Sequence, residues 1–426
     1  MTFNYPPSTA FTDVQRYGAL LVLARFTVLQ NGKVVGSPYE ANLSTGTITI
    51  DRNSEFRRTG RITVELIPTV PPPPLLPANP GSLLAPFGTE VFVETAINSS
   101  GNNLPGTPEN EWIPMGLFVV ATTTVDDTMA DLTVTLQLYD RGWTIAQRTL
   151  KNPYDFPATP GGNFVNEIQV LLNSVWNQQV GVQPLQYNIV PTSAQVPVAS
   201  YDQGSDPFQA ALDMAAAIGY ELYFDTQGIV VGRPIPDPNT LPVTWNFTDD
   251  SNAVQGLDGT GSTALLGDAY STPIEVSAVM TRDGVFNDIV VQGTGSANSA
   301  KYVNGLQTQG QPILAEAADT NPSSPTYIGG PMGDVPNFDQ SSLVTDIGAQ
   351  ATANNDLSQA LSSTWKVTIA AAPNPIFDVD TVVTIDRPRV GLNKAVVVLD
   401  TITQVINYAD ILYCTGRVLS NGPPPA

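Results

Sequence analysis

Residues 206–234 most constrain the fold: Asp-Pro-Phe-Gln-Ala-Ala-Leu-Asp-Met-Ala-Ala-Ala-Ile-Gly, then Tyr-Glu-Leu-Tyr-Phe-Asp-Thr-Gln-Gly-Ile-Val-Val-Gly-Arg-Pro. Asp206 can accept from the free amides of a first helical turn, and Pro207 takes the position where a missing N–H costs nothing. Phe208, Ala211, Leu212, Ala215 and Ile218 recur three and four apart, so they share one stripe, and Gly219 supplies the left-handed residue that ends a helix. The period then changes to two. Leu222 and Phe224, followed by Ile229 and Val231, bracket the turn Asp225-Thr226-Gln227-Gly228, which predicts a β-hairpin. The expectation is a helix–hairpin packing unit, apolar on both parts and without a catalytic group.

A chain of 426 residues can hold about two to four domains, each with its own core. Its formal charge of −21 comes from scarcity of cations: 13% of residues are charged and 18 are Lys or Arg. A surface of Thr, Ser, Asn, Gln and Gly follows, poorly suited to holding nucleic-acid phosphates, which require clustered cations. Histidine is absent and Cys414 is the single cysteine. Ser-His-Asp and Cys-His nucleophiles, histidine-ligated zinc and intrachain disulfides are thereby excluded. Residues 1–12 have neither a basic n-region nor an apolar core, and no window reaches the ~18 apolar residues that span a bilayer. The expectation is a soluble protein made in a reducing cytoplasm, without stable membrane insertion.

Alternation organises both ends. Asn31-Gly32 is a hairpin turn after the apolar run 18–29, and Ile48, Ile50, Ile62, Val64 and Leu66 point one way along two strands. Residues 68–86, with Pro71 to Pro74, read as an extended surface loop or stiff spacer. Strands follow at 90–97, 115–123 and 132–140, and residues 141–150 leave the sheet. Asn163 opens a helix with Phe164, Ile168, Leu171, Leu172 and Val175 on one face. The Gly/Ser/Asn-rich stretch 256–336 reads as long loops containing a strand pair, 276–280 with 288–292. A helix over 342–363 precedes strands at 367–369, 382–385, 395–399, 402–406 and 411–418. The fold class expected is mainly β with an α+β insertion: two β-barrel-like tube domains (1–150 and 241–426) and a small helix-hairpin middle domain (151–240).

Without histidine, acid–base chemistry falls to carboxylate pairs: Asp126-Asp127, Asp249-Asp250 and Asp378-x-Asp380. Two carboxylates across a cleft could hydrolyse a glycosidic bond, but each pair lies in a stretch that reads as a turn, where Asp is a default residue. Asp249-Asp250-Ser251-Asn252 offers oxygens to calcium but lacks the loop spacing and the distal Glu. Gly293-Thr294-Gly295 after a strand lacks the third glycine and the helix of a dinucleotide site. Asn98-Ser99-Ser100 and Asn246-Phe247-Thr248 match glycosylation acceptors; with no secretory signal expected, they read as chance matches. Cys414 in an apolar strand reads as a small core residue. No catalytic, cofactor-binding or metal residue is expected.

Several stretches in order resemble tail hub (baseplate hub) proteins of tailed bacteriophages, in particular minor tail proteins of siphophages infecting actinobacteria. They are Thr47 to Leu66 with Asp51-Arg52 at the turn and Arg57-Arg58 after it; Pro114-Met115-Gly116-Leu117-Phe118; Leu136 to Trp143 with its Asp-Arg turn; the run from Asp206 to the Arg-Pro-x-Pro-Asp-Pro exit at 233–238; and the C-terminal helix followed by Pro373-Asn374-Pro375 and the strand at 379–385. Where the family turn reads Gly-Asp, this chain has Val379-Asp380. The resemblance implies a structural virion protein, not an enzyme. It implies three chains, each with two similar β domains, in a ring at the distal end of the tail tube that joins tube to tip. Partners so implied are further copies of the chain, the tail tube or distal tail protein, the tape-measure protein, tip or fibre proteins, and DNA in transit. The location implied is the virion tail tip after synthesis in the host cytoplasm. A peptidoglycan hydrolase using paired carboxylates and a host-surface-binding tip protein are the competing readings.

Overall fold

The computed structural model describes residues 22–39, 43–66, 75–98, 110–128, 131–157, 162–176, 183–196, 199–248, 270–271, 273–282, 285–293, 302–303, 306–307, 313–322, 324, 326–341, 346–362, 365–406 and 411–420. The N-terminal strands are β1 (Val22–Gln30), β2 (Lys33–Tyr39), β3 (Leu43–Asp51), β4 (Arg58–Leu66), β5 (Thr89–Asn98), β6 (Asn110–Asp127) and β7 (Leu132–Tyr139), followed by helix α1 (Arg141–Ala146). The middle holds β8 (Tyr154–Phe156), α2 (Phe164–Trp176), β9 (Tyr187–Ile189), β10 (Ala199–Tyr201), α3 (Pro207–Ala216), β11 (Tyr220–Phe224) and β12 (Val230–Pro234). Then come β13 (Val243–Thr248), β14 (Tyr270–Ser271), β15 (Glu275–Met280), β16 (Asp288–Gly293), β17 (Tyr302–Val303), β18 (Leu306–Gln307), β19 (Ile313–Ala318), β20 (Pro336–Ser341) and α4 (Asp346–Ser362). The chain closes with β21 (Trp365–Ala371), β22 (Val382–Arg387), β23 (Leu392–Val405) and β24 (Leu412–Ser420).

Fourteen strands form one sheet, seven from each end of the chain. The N-terminal half runs β2-β1-β5-β6-β7-β4-β3, and the C-terminal half comprises β13 to β15 and β21 to β24. They meet on β23. Val396 to Val398 pair with both β22 and β24, which therefore flank β23 on opposite edges. Thr401 and Thr403 pair with both β24 and β3, so β3 takes over the edge that β22 leaves. The ladder is irregular between Leu399 and Thr401, where this handover falls. A single strand thus belongs to both halves, and one apolar core, from Phe26, Ile48 and Leu136 to Ile369, Ile385 and Ile402, is continuous beneath them.

The opposite face of this sheet is polar, because residues directly opposed in an antiparallel ladder share a face. Thr49 stands between Thr403 and Thr59, and Thr47 opposes Arg61. Thr63 opposes Thr135, which opposes Thr124. On the other side of the seam Thr401 opposes Thr415, Thr415 opposes Thr368, and Thr368 opposes Ser277. Hydroxyl pairs Thr49–Thr403 (3.3 Å) and Thr63–Thr135 (3.1 Å) tie neighbouring strands on this face.

The helix–hairpin forms as its punctuation predicts. Asp206 Oδ1 accepts from the Phe208 and Gln209 amides, Pro207 opens α3, and Gly219 has φ +69°. In the hairpin Phe224 pairs with Val230 and Leu222 with Gly232, so Val230 rather than Ile229 shares the buried face. A second core gathers Phe164, Leu171, Phe208, Met214 and Phe224 with Ile289, Val291, Ala315 and Ala349. The latter come from the three-stranded sheet β19-β16-β20 and α4, which extend the α+β layer well beyond residue 240.

Several expectations are corrected. Strands 276–280 and 288–292 do not pair. β15 lies against β21, while β16 is the central strand between β19 and β20, because Ile289 and Val291 need cover on the helical side. Beyond the two strands expected, the stretch 256–336 also holds β14, β17, β18 and β19. The predicted strands 395–399 and 402–406 are one strand, β23, whereas residues 141–150 leave the sheet as expected, beginning with α1, capped by Asp140. The Pro-rich stretch folds back as more than a surface spacer, since Leu75 and Leu84 enter the main core. Residues 67–74 lie outside the described residues. No helix of the described residues is long and apolar enough to cross a membrane.

Gly416 of β24 lies opposite Leu399 of β23, beside the ladder irregularity, and a Cβ there would stand 2.4 Å from the Val398 carbonyl oxygen. The backbone of a central strand cannot yield. We expect Gly416→Ala to lose about 2 kcal/mol, the usual range for overpacking, read as a lower urea midpoint at unchanged m-value.

Candidate functional site: a buried arginine–carboxylate junction

The chain has few cations, and several of them converge at the handover on β23. Arg52 lies in the β3–β4 turn, where its amide donates to the Asp400 carbonyl (2.9 Å) beside the ladder irregularity. Its guanidinium meets Asp380 at 2.9 Å. Arg58 begins the return strand and Arg57 immediately precedes it. Arg57 reaches Glu221 of β11 (2.7 Å) and stacks 3.7 Å above the Tyr223 ring. Arg58 reaches Asp378 (2.5 Å), and its amide donates to the Asp140 carboxylate (3.2 Å). Arg233 of β12 bridges Glu221 (2.5 Å) and Asp380 (3.1 Å). Three separate segments, 52–58, 221–233 and 378–380, are pinned together through side chains that are mostly buried. Behind them Arg417 of β24 pairs with Asp400 at 2.8 Å.

Local chemistry explains each placement. Asp380 has φ +66°, a left-handed conformation that Asp tolerates, and Val379 before it needs none. The departure from a Gly-Asp turn is therefore accommodated. Asp378 Oδ1 accepts from the Val379 amide, and the Asp380 amide donates to the Leu399 carbonyl, which fastens the turn to β23. Asp225 closes the hairpin by accepting from the Gln227 and Ile229 amides. Arg141, after Asp140, pairs with Glu90 (2.7 Å) and donates to the Gly228 carbonyl at that turn.

Burial raises carboxyl pKa values here and the arginines oppose it. Burial works against Glu221, but Arg57 and Arg233 outweigh it and hold its carboxyl below the ordinary value. For Asp380 burial and the neighbouring Glu221 prevail over Arg52, Arg57 and Arg233, so its pKa is raised. Burial disfavours the Arg57 cation, yet Glu221, Tyr223 and Asp380 together hold it above the ordinary value. Asp140 is pushed up to about 7 by burial despite its amide donors. Beside the junction opens a cavity of about 330 Å³, walled by Tyr223, Arg233, Asp378, Asp380, Pro114 and Phe377. The carboxylates in its wall are held by guanidinium groups, an arrangement suited to bracing.

Of the candidate residues, the structure brings Asp378 and Asp380 together, with Glu221 as a third carboxylate. Asp126 and Asp127 lie at the exposed end of β6, opposite Thr133 and Leu132 on different faces. Asp249, Asp250, Ser251 and Asn252 lie outside the described residues, as do Thr294, Gly295, Ser99 and Ser100. Asn246 sits in β13 with its side chain against Thr384 and with Phe247 buried. Cys414 is buried in β24, and burial pushes its thiol up. Glu221 and Tyr223 were missed because the hairpin was read from its apolar face. The overlooked signal was an ionisable pair, Glu221 and Arg233, on the alternate positions of a chain poor in charge.

Removing one partner of a buried ion pair costs about 3–5 kcal/mol. Glu221→Gln should lose about 3 kcal/mol at neutral pH, because Arg57 and Arg233 lose their shared carboxylate. A lowered folded-state pKa gives stability that is complete above the unfolded value and is lost as pH falls through the folded one. The difference between wild type and Glu221→Gln should therefore shrink below about pH 4.5, measured by urea unfolding from pH 7 to pH 3.

No family model matches the chain, and no curated protein matches it. Solved structures do. A tail protein from Neisseria meningitidis MC58 superposes with a TM-score of 0.57 at 11% identity, covering 93% of this chain and 96% of that one. The 43 kDa tail protein of prophage MuSo2 from Shewanella oneidensis gives 0.54 at 12%, covering 93% and 98%. A Francisella PdpA–VgrG complex gives 0.51 at 7%, covering 97% of this chain and 62% of that chain. The chain therefore shares, over nearly its whole length, the fold of these two tail proteins, one of them from a prophage.

Proposed function

We propose that the chain is a structural protein of a phage tail: a hub that forms a ring at the distal end of the tail tube, joins tube to tip, and surrounds the passage for DNA and tape-measure protein. The observation that carries this reading is the likeness to two tail proteins along almost all of both chains. The seven-plus-seven strand construction supports it, because three chains would present six comparable arcs. The sequence resemblance extends the proposal to a siphophage of an actinobacterial host. Its partners would be two further copies, the tube or distal tail protein, and tip proteins.

A role without chemistry accords with the junction. Asp378 and Asp380, the carboxylates offered for a hydrolase, are engaged by Arg58, Arg52 and Arg233.

Electron microscopy and mass measurement of the purified chain, alone and with tube protein, test the reading. The expected particle is a three-fold ring with a central hole and three times the 45.3 kDa chain mass. A chain that stays single under both conditions, or that clears host cell wall in a zymogram, would overturn it.

A further inference from the structure

The small sheet β19-β16-β20 has one face covered by the α+β layer and one turned away from it. Ile289, Val291, Ala315 and Ala317 join the helical core with Ala349 of α4. The register puts the alternate residues on the other face: Asp288 and Val290 of β16, Glu316 of β19, Pro336 and Phe338 of β20. Val290, flanked by Glu316 and Phe338, is buried, whereas Phe338 is 48% exposed. Asp288 is 2% exposed, and its Oδ1 has no hydrogen-bond partner. The charges that act on it are those of Glu316 and Asp334, both acidic, and no cation among the described residues offsets them. Arg282, just before the sheet, is exposed and donates to the Met332 carbonyl (3.2 Å).

A buried carboxylate normally has donors or a cation beside it. Burial and the two acidic neighbours raise the Asp288 carboxyl to about 6, so at pH 8 it is a buried anion among anions. Nothing inside the chain compensates that arrangement, and such groups concentrate where something binds. We propose that this face is a docking surface for an arginine side chain of another protein: its guanidinium pairs with the Asp288 and Glu316 carboxylates, Asp334 stands at the margin, and Phe338 takes its flat face. Charge and shape select this occupant. Among the described residues no three acidic, histidine or cysteine side chains are gathered closely enough to hold a metal ion. A guanidinium spreads five donors over a plane, so it can serve carboxylates set further apart, and it stacks on aromatic rings. The source is a partner, because the chain carries 18 Lys and Arg against 39 Asp and Glu and commits Arg52, Arg57, Arg58, Arg233 and Arg417 to its own junction. The surface is complete within one chain, so its test is separate from ring formation.

The expected signature is a residue whose neutralisation strengthens the free chain and weakens binding. At pH 8 Asp288→Asn should raise the urea midpoint of the full chain, because it removes an uncompensated buried charge. An unchanged or lower midpoint would show that the carboxylate is already satisfied, and would overturn the inference. The binding probe is the fluorescein-labelled peptide Gly-Ser-Arg-Gly-Arg-Ser-Gly, followed by anisotropy at 150 mM salt to screen long-range attraction, with its citrulline counterpart as the neutral control. The wild-type chain should bind the arginine peptide about tenfold more tightly than the citrulline one, and Asp288→Asn should lose that margin. Asp127→Asn, which removes the same charge from the exposed end of β6, should bind as the wild type does. Equal or absent binding of the two peptides, or the same loss with Asp127→Asn, means only general attraction to an acidic chain and sinks the proposal. So does a midpoint raised by calcium but not by the arginine peptide, which would make the occupant a metal ion.

Discussion

The structure depends on one strand being shared. β23 pairs with β22 over its first half and with β3 over its second, so the two ends of the chain are a single sheet only if the backbone holds its course between Leu399 and Thr401. The arginine junction is built at that point. Arg52 holds the Asp400 carbonyl and the Asp380 carboxylate, and Arg57 and Arg233 extend the brace to the hairpin. Buried ion pairs bring little net stability over an apolar core, but removing one partner is costly. The arrangement therefore fixes geometry: it makes the relative placement of two half-sheets and an α+β layer a property of the chain.

Rigidity of that kind suits the proposed hub, which has to present comparable arcs around an axis. It also accounts for where the scarce charge goes. A chain with 18 cations commits Arg52, Arg57, Arg58, Arg233 and Arg417 to one internal region. On the outer face of the sheet threonine and serine recur, with Arg61, Lys366 and Glu65 among them.

What the sequence made legible followed from local rules. Asp206, Pro207 and Gly219 act on their own helix, and the alternation of Ile48, Ile50, Ile62 and Val64 names a buried face without reference to any partner. Partner choice was not legible. Val276 and Ile289 lie in short strands close in sequence, and nothing local says that one pairs with β21 and the other with β19 and β20. The site was half visible. Asp51-Arg52, Arg57-Arg58, Arg233 and Asp380 stood out as motifs, yet their common purpose depends on contacts such as Arg58 with Asp378, 320 residues away in the chain. Glu221 escaped notice because apolar periodicity directs attention to the face it is not on.

The central claim is that the seam on β23 is as firm as the strands on either side. Amide hydrogen exchange measures this directly. The account predicts that the amides of Thr49, Ile50 and Thr403 exchange only with global opening, at the same free energy as those of Ile62 and Val64 inside the N-terminal half. Seam amides that exchange through a low-energy opening while Ile62 and Val64 stay protected would show two halves merely touching, and would contradict it.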